Sequence, residues 1–287
     1  MEYQHLALDT SVGPTGARVT GVDLSKPLTP EVLEEIRQAW FAHSVLFFEG
    51  QSLTPAEQAQ FAANFGELDV YPFMKAVDSH PNVIPIIKEP DARINFGGGW
   101  HTDTSYLEKP PAATLLYAVE VPEQGGDTMY ANSCDAYDDL SPGFKRLLDG
   151  VMGVYSPKVV HGKGGAYAKL AANSSDLGAA YGGNDDFAES EVLHPLIRTH
   201  PVTGRKSIYC SRAHTHRIQD MTREESLPII EYLQDHLTQE KYVTRFHWTP
   251  GTLAMWDNRC LFHYAINDYH GKKRHMHRVI VQGERPV

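Results

Sequence analysis

Nothing in this chain of 287 residues approaches the ~18 consecutive apolar residues of a membrane-spanning helix. It also lacks any block of clustered lysines and arginines, and its formal net charge is −10. Neutralising a phosphate backbone needs such clusters, so nucleic acid is not an expected partner. Cysteine is scarce. Cys134, Cys210 and Cys260 are widely spaced and odd in number, which suits a reducing cytoplasm better than a disulfide framework. The opening residues, Met1-Glu2-Tyr3-Gln4-His5, have neither the basic start nor the apolar stretch of a signal peptide. No internal repeat and no linker divides residues 1–287, so they are expected to form one domain. The expectation is a cytoplasmic homo-oligomer that binds neither membrane nor nucleic acid.

What the chain does contain is an ordinary globular share of apolar residues, 41%, and 15 histidines. Thr29-Pro30-Glu31 opens a helix with Thr29 as N-cap, and Val32, Leu33, Ile36 and Trp40 repeat at helical spacing. Thr54-Pro55-Ala56-Glu57 has the form of a capping box before Phe61 and Phe65, with Gly66 placed to end that helix. Ser141-Pro142 starts another helix that runs to about Leu148. Thr222-Arg223-Glu224-Glu225 starts one with the stripe Ile229, Ile230, Leu233 and Leu237, in which Pro228 falls early. Strands are expected at 44–48, 83–87, 114–119, 193–199, 207–210, 243–248, 252–256 and 274–282, and Pro85 pushes the second of these to a sheet edge. Many short strands with a few helices outside them predict a mainly β architecture, a barrel or jelly roll with flanking helices. Residues 161–190, rich in Gly, Ala and Ser, have little to bury. They read either as a surface insertion or as a mobile lid that orders over a substrate.

The stretch Gly97-Gly98-Gly99-Trp100-His101-Thr102-Asp103 puts an imidazole and a carboxylate two positions apart. In extended backbone they project to one face and can close on one metal ion. His263 offers a third ligand. Arg274 and Arg278 share parity in the last strand, about 13 Å apart at ~3.3 Å per residue, while His275 and His277 face away. Two guanidinium groups aimed into one cavity need anions to meet them. An exposed strand face with two solvated arginines is the plainer alternative.

With Gly125-Gly126-Asp127-Thr128 and Trp256-Asp257-Asn258-Arg259, these residues resemble the taurine dioxygenase family of Fe(II)- and 2-oxoglutarate-dependent oxygenases. The resemblance extends to Gly21-Val22-Asp23-Leu24, Phe65-Gly66-Glu67 and 194–201, and so covers nearly the whole chain. It implies a double-stranded β-helix, a cupin-like jelly roll. It further implies that His101, Asp103 and His263 bind Fe(II) as a facial triad, leaving room for 2-oxoglutarate and O2. Arg274 would hold the distal carboxylate of 2-oxoglutarate, with Thr128 adding a hydroxyl bond. Arg278 would then face an anionic group on a small-molecule substrate, hydroxylated with release of succinate and CO2. Hydroxylation beside an ether oxygen, sulfur or nitrogen would split the molecule. Related halogenases lack a carboxylate where Asp103 stands, which favours hydroxylation here.

The chain departs from the taurine enzyme at two places, with Tyr71 instead of a histidine and Gly97 instead of an asparagine. His214 matches a histidine of the 2,4-dichlorophenoxyacetate dioxygenase, and the segment with Lys75 resembles dichlorprop-type aryloxyalkanoate dioxygenases. Tyr71, Lys75, His214 and Arg278 are therefore the expected substrate contacts. The substrate class is a carboxylate or sulfonate on an apolar body, with a taurine or alkylsulfonate dioxygenase as the alternative. A zinc-dependent hydrolase using the same His/Asp/His ligands is the reading from another class; it requires a general base near the metal rather than paired arginines. A third reading is a noncatalytic anion-binding barrel. His5, His43, His80, His161, His236, His247 and His270 read as surface or core residues, His194 and His200 as structural.

Overall fold

A computed structural model describes residues 3–70, 76–77, 79–162 and 189–287. The expected contacts Tyr71 and Lys75, and all but the ends of the expected lid, lie outside these residues.

The strands and helices begin at β1 (Ala7–Asp9), β2 (Ala17–Thr20), α1 (Pro30–His43), β3 (Val45–Phe48), α2 (Pro55–Ala63), β4 (Ile84–Lys88) and β5 (Ala113–Glu120). There follow β6 (Thr128–Asn132), α3 (Ser133–Asp138), α4 (Pro142–Leu148), β7 (Met152–Tyr155), α5 (Lys158–His161), β8 (Val192–Pro195), β9 (Ile197–Thr199), β10 (Lys206–Ile208) and β11 (Thr215–Ile218). The chain closes with α6 (Arg223–Leu237), β12 (Val243–Phe246), β13 (Leu253–Asp257), β14 (Leu261–Ala265) and β15 (Arg274–Val281). No helix among the described residues is long and apolar enough to cross a membrane.

One sheet has the order β1-β2-β3-β13-β5-β15-β4, and it faces the shorter sheets β12-β6-β14 and β11-β7-β8. This is a jelly roll. Both faces of the large sheet are buried, so its strands read as near-continuous apolar runs. On the outer face Leu115, Tyr117, Leu253, Met255, Val279 and Val281 pack beneath Ile36 and Trp40 of α1 and Phe61 of α2. On the inner face Leu116, Ala118, Ala254, Trp256, Met276 and Ile280 form the barrel interior. Inward parity on β15 is thus shared by Met276 and Ile280 with Arg274 and Arg278, and the two arginines are brought into the barrel by the alternation of the strand.

Local signals account for most boundaries. Thr29 and Thr54 accept from the backbone N–H groups of Val32 and Glu57, and Thr54 with Glu57 completes the capping box. β4 lies at the sheet edge, as Pro85 requires. Two expectations need correction. The helix before Gly66 stops at Ala63, capped by Asn64, whose side chain bonds the carbonyls of Gln60 and Phe61 before the glycine is reached. The strand expected over 193–199 is two, because at Leu196 the chain leaves β7 and joins β10. The pieces β7, β11, α3 and β14 carry too few periodic residues to stand out in the sequence.

Candidate metal centre and substrate cavity

His101 precedes β5 and has no strand of its own. Two backbone hydrogen bonds tie it to β14: its N–H donates to the His263 carbonyl at 3.1 Å, and its carbonyl accepts from the His263 N–H at 2.8 Å. The two imidazole centroids are 4.2 Å apart. Asp103 comes in from the same side, with Oδ1 at 3.8 Å from Nε2 of each histidine. One ligand atom from each of the three residues lies within 4.8 Å of the others. The Nδ1–H of His101 donates to the Gly99 carbonyl at 2.6 Å, which leaves the Nε2 lone pair pointing inward. The His263 ring packs on Trp256 at 4.7 Å.

The protonation states suit a divalent ion. Burial lowers the pKa of His263 to about 3, so this ring is a neutral donor at ordinary pH. Burial pushes Asp103 upward, but Arg278, the two histidines and a hydrogen bond from Thr114 outweigh it and bring the carboxyl to about 2. Two imidazoles and one carboxylate on one side of a site form the donor set of non-haem Fe(II) oxygenases.

A relay of side chains fixes Asp103. The Thr114 hydroxyl donates to Asp103 Oδ2 at 2.6 Å and accepts from Asn258 Nδ2 at 2.8 Å. The Asn258 side-chain oxygen accepts from Trp256 Nε1 at 3.0 Å and from the Asp103 backbone N–H at 3.3 Å. The Trp256-Asp257-Asn258-Arg259 motif therefore acts in the turn behind the metal centre. Asp257 in turn accepts from Arg259 and from His200 Nε2 at 3.0 Å. His200, Asp257 and Cys260 also come within metal-ligating distance of one another. Here the carboxylate is already taken by Arg259 and His200, and His200 Nδ1 accepts from the backbone N–H groups of Val202 and Thr203. That cluster is structural.

Two adjoining cavities open from the triad. The smaller, about 40 Å³, is bounded by Ile86, Leu116, Thr128, Trp256, Arg274 and Arg278. Arg274 is 6% exposed, and its Nε and Nη2 have no hydrogen-bond partner among the described residues. Burial lowers its pKa. Thr128 accepts from Trp248 Nε1 at 2.9 Å, which orients its hydroxyl. Arg278 sits between the cavities, with Nη1 at 3.5 Å from Asp103 Oδ1. The larger cavity, about 400 Å³, is bounded by the Gly97–Gly99 stretch, Ile94, Phe96, Trp100, Tyr106 and His214.

The structure brings His101, Asp103, His263, Thr128, Arg274, Arg278 and His214 together. His214 bonds the Ser105 hydroxyl at 2.9 Å through Nδ1, and burial first, then His101 and His161, holds it neutral. His161, read from sequence as a bystander, also lines the large cavity; burial lowers its pKa to about 4. Tyr106, whose ring meets His214 at 4.8 Å, was not expected there either. Neither residue has a spacing signal, because both come from irregular or very short elements. Thr114 and Asn258 were likewise missed as metal-centre residues, since strand pattern alone gives them no role. Asp127 braces the Gly125-Gly126 turn by accepting from Arg245 Nε at 2.6 Å and His247 Nδ1 at 2.7 Å.

The family described as "Taurine catabolism dioxygenase TauD, TfdA family" matches residues 5–280. The chain is 32% identical to an alpha-ketoglutarate-dependent sulfate ester dioxygenase of Pseudomonas putida, over 98% of this chain and 92% of that protein. It is 33% identical to an (S)-phenoxypropionate/alpha-ketoglutarate-dioxygenase of Sphingobium herbicidovorans, over 87% and 85%. A crystal structure of a taurine dioxygenase from Burkholderia xenovorans superposes with a TM-score of 0.82 at 31% identity, over 99% and 91%. The alpha-ketoglutarate of these names is 2-oxoglutarate, and its use sets the zinc-hydrolase and noncatalytic readings aside. The chain belongs to the taurine catabolism dioxygenase family and is an Fe(II)- and 2-oxoglutarate-dependent dioxygenase.

Proposed function

We propose that His101, Asp103 and His263 hold the iron, and that Arg274 with Thr128 holds the distal carboxylate of 2-oxoglutarate in the smaller cavity. Arg278 then places the anion of a small organic substrate at the inner end of the larger cavity. When bound, iron and 2-oxoglutarate supply the oxidising chemistry: one O2 converts 2-oxoglutarate to succinate and CO2 and turns a substrate C–H into C–OH. The chain's own residues decide which C–H is presented. The observation that carries this reading is the place of Arg278, which bounds both cavities and lies 3.5 Å from a metal-ligand oxygen. An anion held there keeps the adjacent carbon next to the metal.

The larger cavity supports a monoanion with an apolar body. Ile94, Phe96, Trp100 and Tyr106 line it, and His161 and His214 are neutral. Among its described lining residues Asp103 is the only acid, and the metal claims it. An ammonium group such as that of taurine therefore finds no counter-charge, which favours alkyl sulfates, unsubstituted sulfonates and aryloxyalkanoates. In a sulfate ester or an aryloxyalkanoate, hydroxylation of the carbon bearing the bridging oxygen gives a hemiacetal-type product that collapses and breaks the C–O bond. Taurine-type sulfonate oxidation is the second reading, supported by the solved structure named above.

The test is anaerobic loading with Fe(II) and 2-oxoglutarate followed by an oxygen pulse. Succinate is then measured across alkyl sulfates, sulfonates, aryloxyalkanoates and taurine. Succinate formation coupled one-to-one to a non-zwitterionic anion is expected. Coupling with taurine alone would overturn the substrate class.

A further inference from the structure

Lys88 ends β4 on its inward face, with the same parity as Ile84 and Ile86, and Ile86 bounds the small cavity. Its partner across the ladder is Arg274. Directly opposed residues of an antiparallel pair have Cβ atoms about 4.5–5.5 Å apart, and like charges in that position repel. Here both are also desolvated, at 4% and 6% exposure. Among the described residues, the Lys88 Nζ has no hydrogen-bond partner, and neither do Nε and Nη2 of Arg274.

Among the described residues, the group that receives the lysine head is the Tyr269 ring, whose centroid is 4.5 Å from Nζ. Tyr269 stands at the same corner. Its ring and Arg274 Cδ lie 3.3 and 3.5 Å from where a Cβ on Gly126 would be. Gly126 stands two residues before Thr128. A ring face offsets the lost hydration of an ammonium only in part, and the field of Asp91 reaches Lys88 without forming an ion pair. Two buried cations side by side, with no carboxylate bonded to either, are expensive unless a bound anion meets their field.

We propose that Lys88 is the second cation of the cosubstrate's distal-carboxylate subsite, a positioning charge that makes the pocket select 2-oxo dicarboxylates over 2-oxo monocarboxylates. This rests on the reading of Arg274 as the direct contact of that carboxylate. Arg274 and Thr128 bound the cavity itself. Lys88 acts from behind, across the Tyr269 corner, where the low dielectric lets its field reach the anion.

The experiment uses the full chain loaded with Mn(II), and calorimetric titration with N-oxalylglycine and with 2-oxovalerate, which lacks the distal carboxylate. Lys88→Met is expected to weaken N-oxalylglycine binding about tenfold or more while changing 2-oxovalerate binding less than threefold. Lys88→Arg should stay within about threefold of wild type for both. Thermal melts of the ligand-free proteins supply the second readout, since removing an unpartnered buried charge should leave the melting temperature unchanged or raised. Equal effects on both ligands, or a lowered melting temperature with binding unchanged, would overturn the proposal and leave Lys88 as a packing residue. Arg274→Ala serves as the control. If it too leaves N-oxalylglycine binding intact, the underlying carboxylate subsite fails, whereas a loss there with no effect at Lys88 rejects the lysine alone.

Discussion

His101 and His263 each donate a backbone hydrogen bond to the other, at 3.1 and 2.8 Å, although nearly the whole barrel separates them in sequence. The bridge is isolated, with no ladder continuing on either side. The two rings proposed to ligate the metal are thus placed by main-chain geometry, so their spacing does not depend on the rings themselves. Preorganisation of this kind lowers the cost of capturing the ion.

It follows that His101→Ala and His263→Ala should keep the fold and lose the metal. The backbone bonds survive both substitutions. Apo melting temperatures are expected within a few degrees of wild type, while Fe(II) or Mn(II) retained after desalting falls to background. Full metal retention in either variant would remove that residue from the ligand set.

The relay behind Asp103 predicts a graded effect. Thr114→Val keeps the shape of the side chain and removes the 2.6 Å bond to Oδ2. Losses at such outer partners typically cost 10–100-fold in metal affinity. Mn(II) titration of Thr114→Val should fall in that range, together with a stability cost of about 1–3 kcal/mol for the partner lost by buried Asn258. An unchanged Mn(II) affinity would show that the carboxylate is oriented without the hydroxyl.

How much of this was legible in the sequence follows from how each feature is encoded. The triad and the arginines were readable because each sits in a short motif or a strict two-residue alternation, and β15 turned that alternation directly into direction. Helix starts at Thr29, Thr54 and Thr222 were readable because capping is local chemistry. Thr114 and Asn258 were not, since their roles arise only when β5 and the turn after β13 meet. His161 and Tyr106 reach the cavity from a one-turn helix and a loop, where no periodicity marks which side chain turns inward.

The two arginines should separate kinetically. Arg274→Ala is expected to raise the KM for 2-oxoglutarate by tenfold or more with little change in substrate KM. Arg278→Ala should do the reverse, by a similar factor. It also removes a positive charge 3.5 Å from Asp103 Oδ1, so the carboxyl pKa rises and the acidic limb of Mn(II) binding moves to higher pH. Steady-state kinetics against both ligands, with Mn(II) binding measured from pH 4 to 8, checks both parts. Parallel changes in the two KM values would reject the division of labour.

Acid sensitivity of the metal-free protein should come from histidines rather than from Asp103. In the fold His263 and His161 have pKa values lowered to about 3 and about 4, while their unfolded value is 6.5. Between these limits the unfolded chain binds more protons, so stability rises with pH and is lost as pH falls below 6.5. The slope is at most about 1.4 kcal/mol per pH unit for each histidine. Asp103, held at about 2, keeps its contribution until far lower pH. Melting temperatures should therefore fall steadily from pH 6.5 to 4, and His161→Phe should flatten part of that slope. A wild-type profile flat over this interval would be incompatible with buried neutral histidines.

Gly97 provides a test of the cavity mouth. Its φ is +80°, and a Cβ there would lie 3.4 Å from His101 Cε1 and 3.7 Å from the Ala265 Cβ. Space for one carbon exists, so the backbone angle decides the cost. Asparagine tolerates left-handed φ and should fold with a loss of about 1 kcal/mol or less, whereas β-branched valine there is a true outlier costing about 1–3 kcal/mol. The side chain of Gly97→Asn would enter the large cavity beside Phe96 and His101. Its kcat/KM for the bulkiest accepted anion should fall about tenfold or more, while a two-carbon sulfonate is affected less than threefold. The Gly97→Val variant should melt several degrees lower than Gly97→Asn. Equal loss on large and small substrates would mean that the glycine serves the backbone alone and does not shape the cavity.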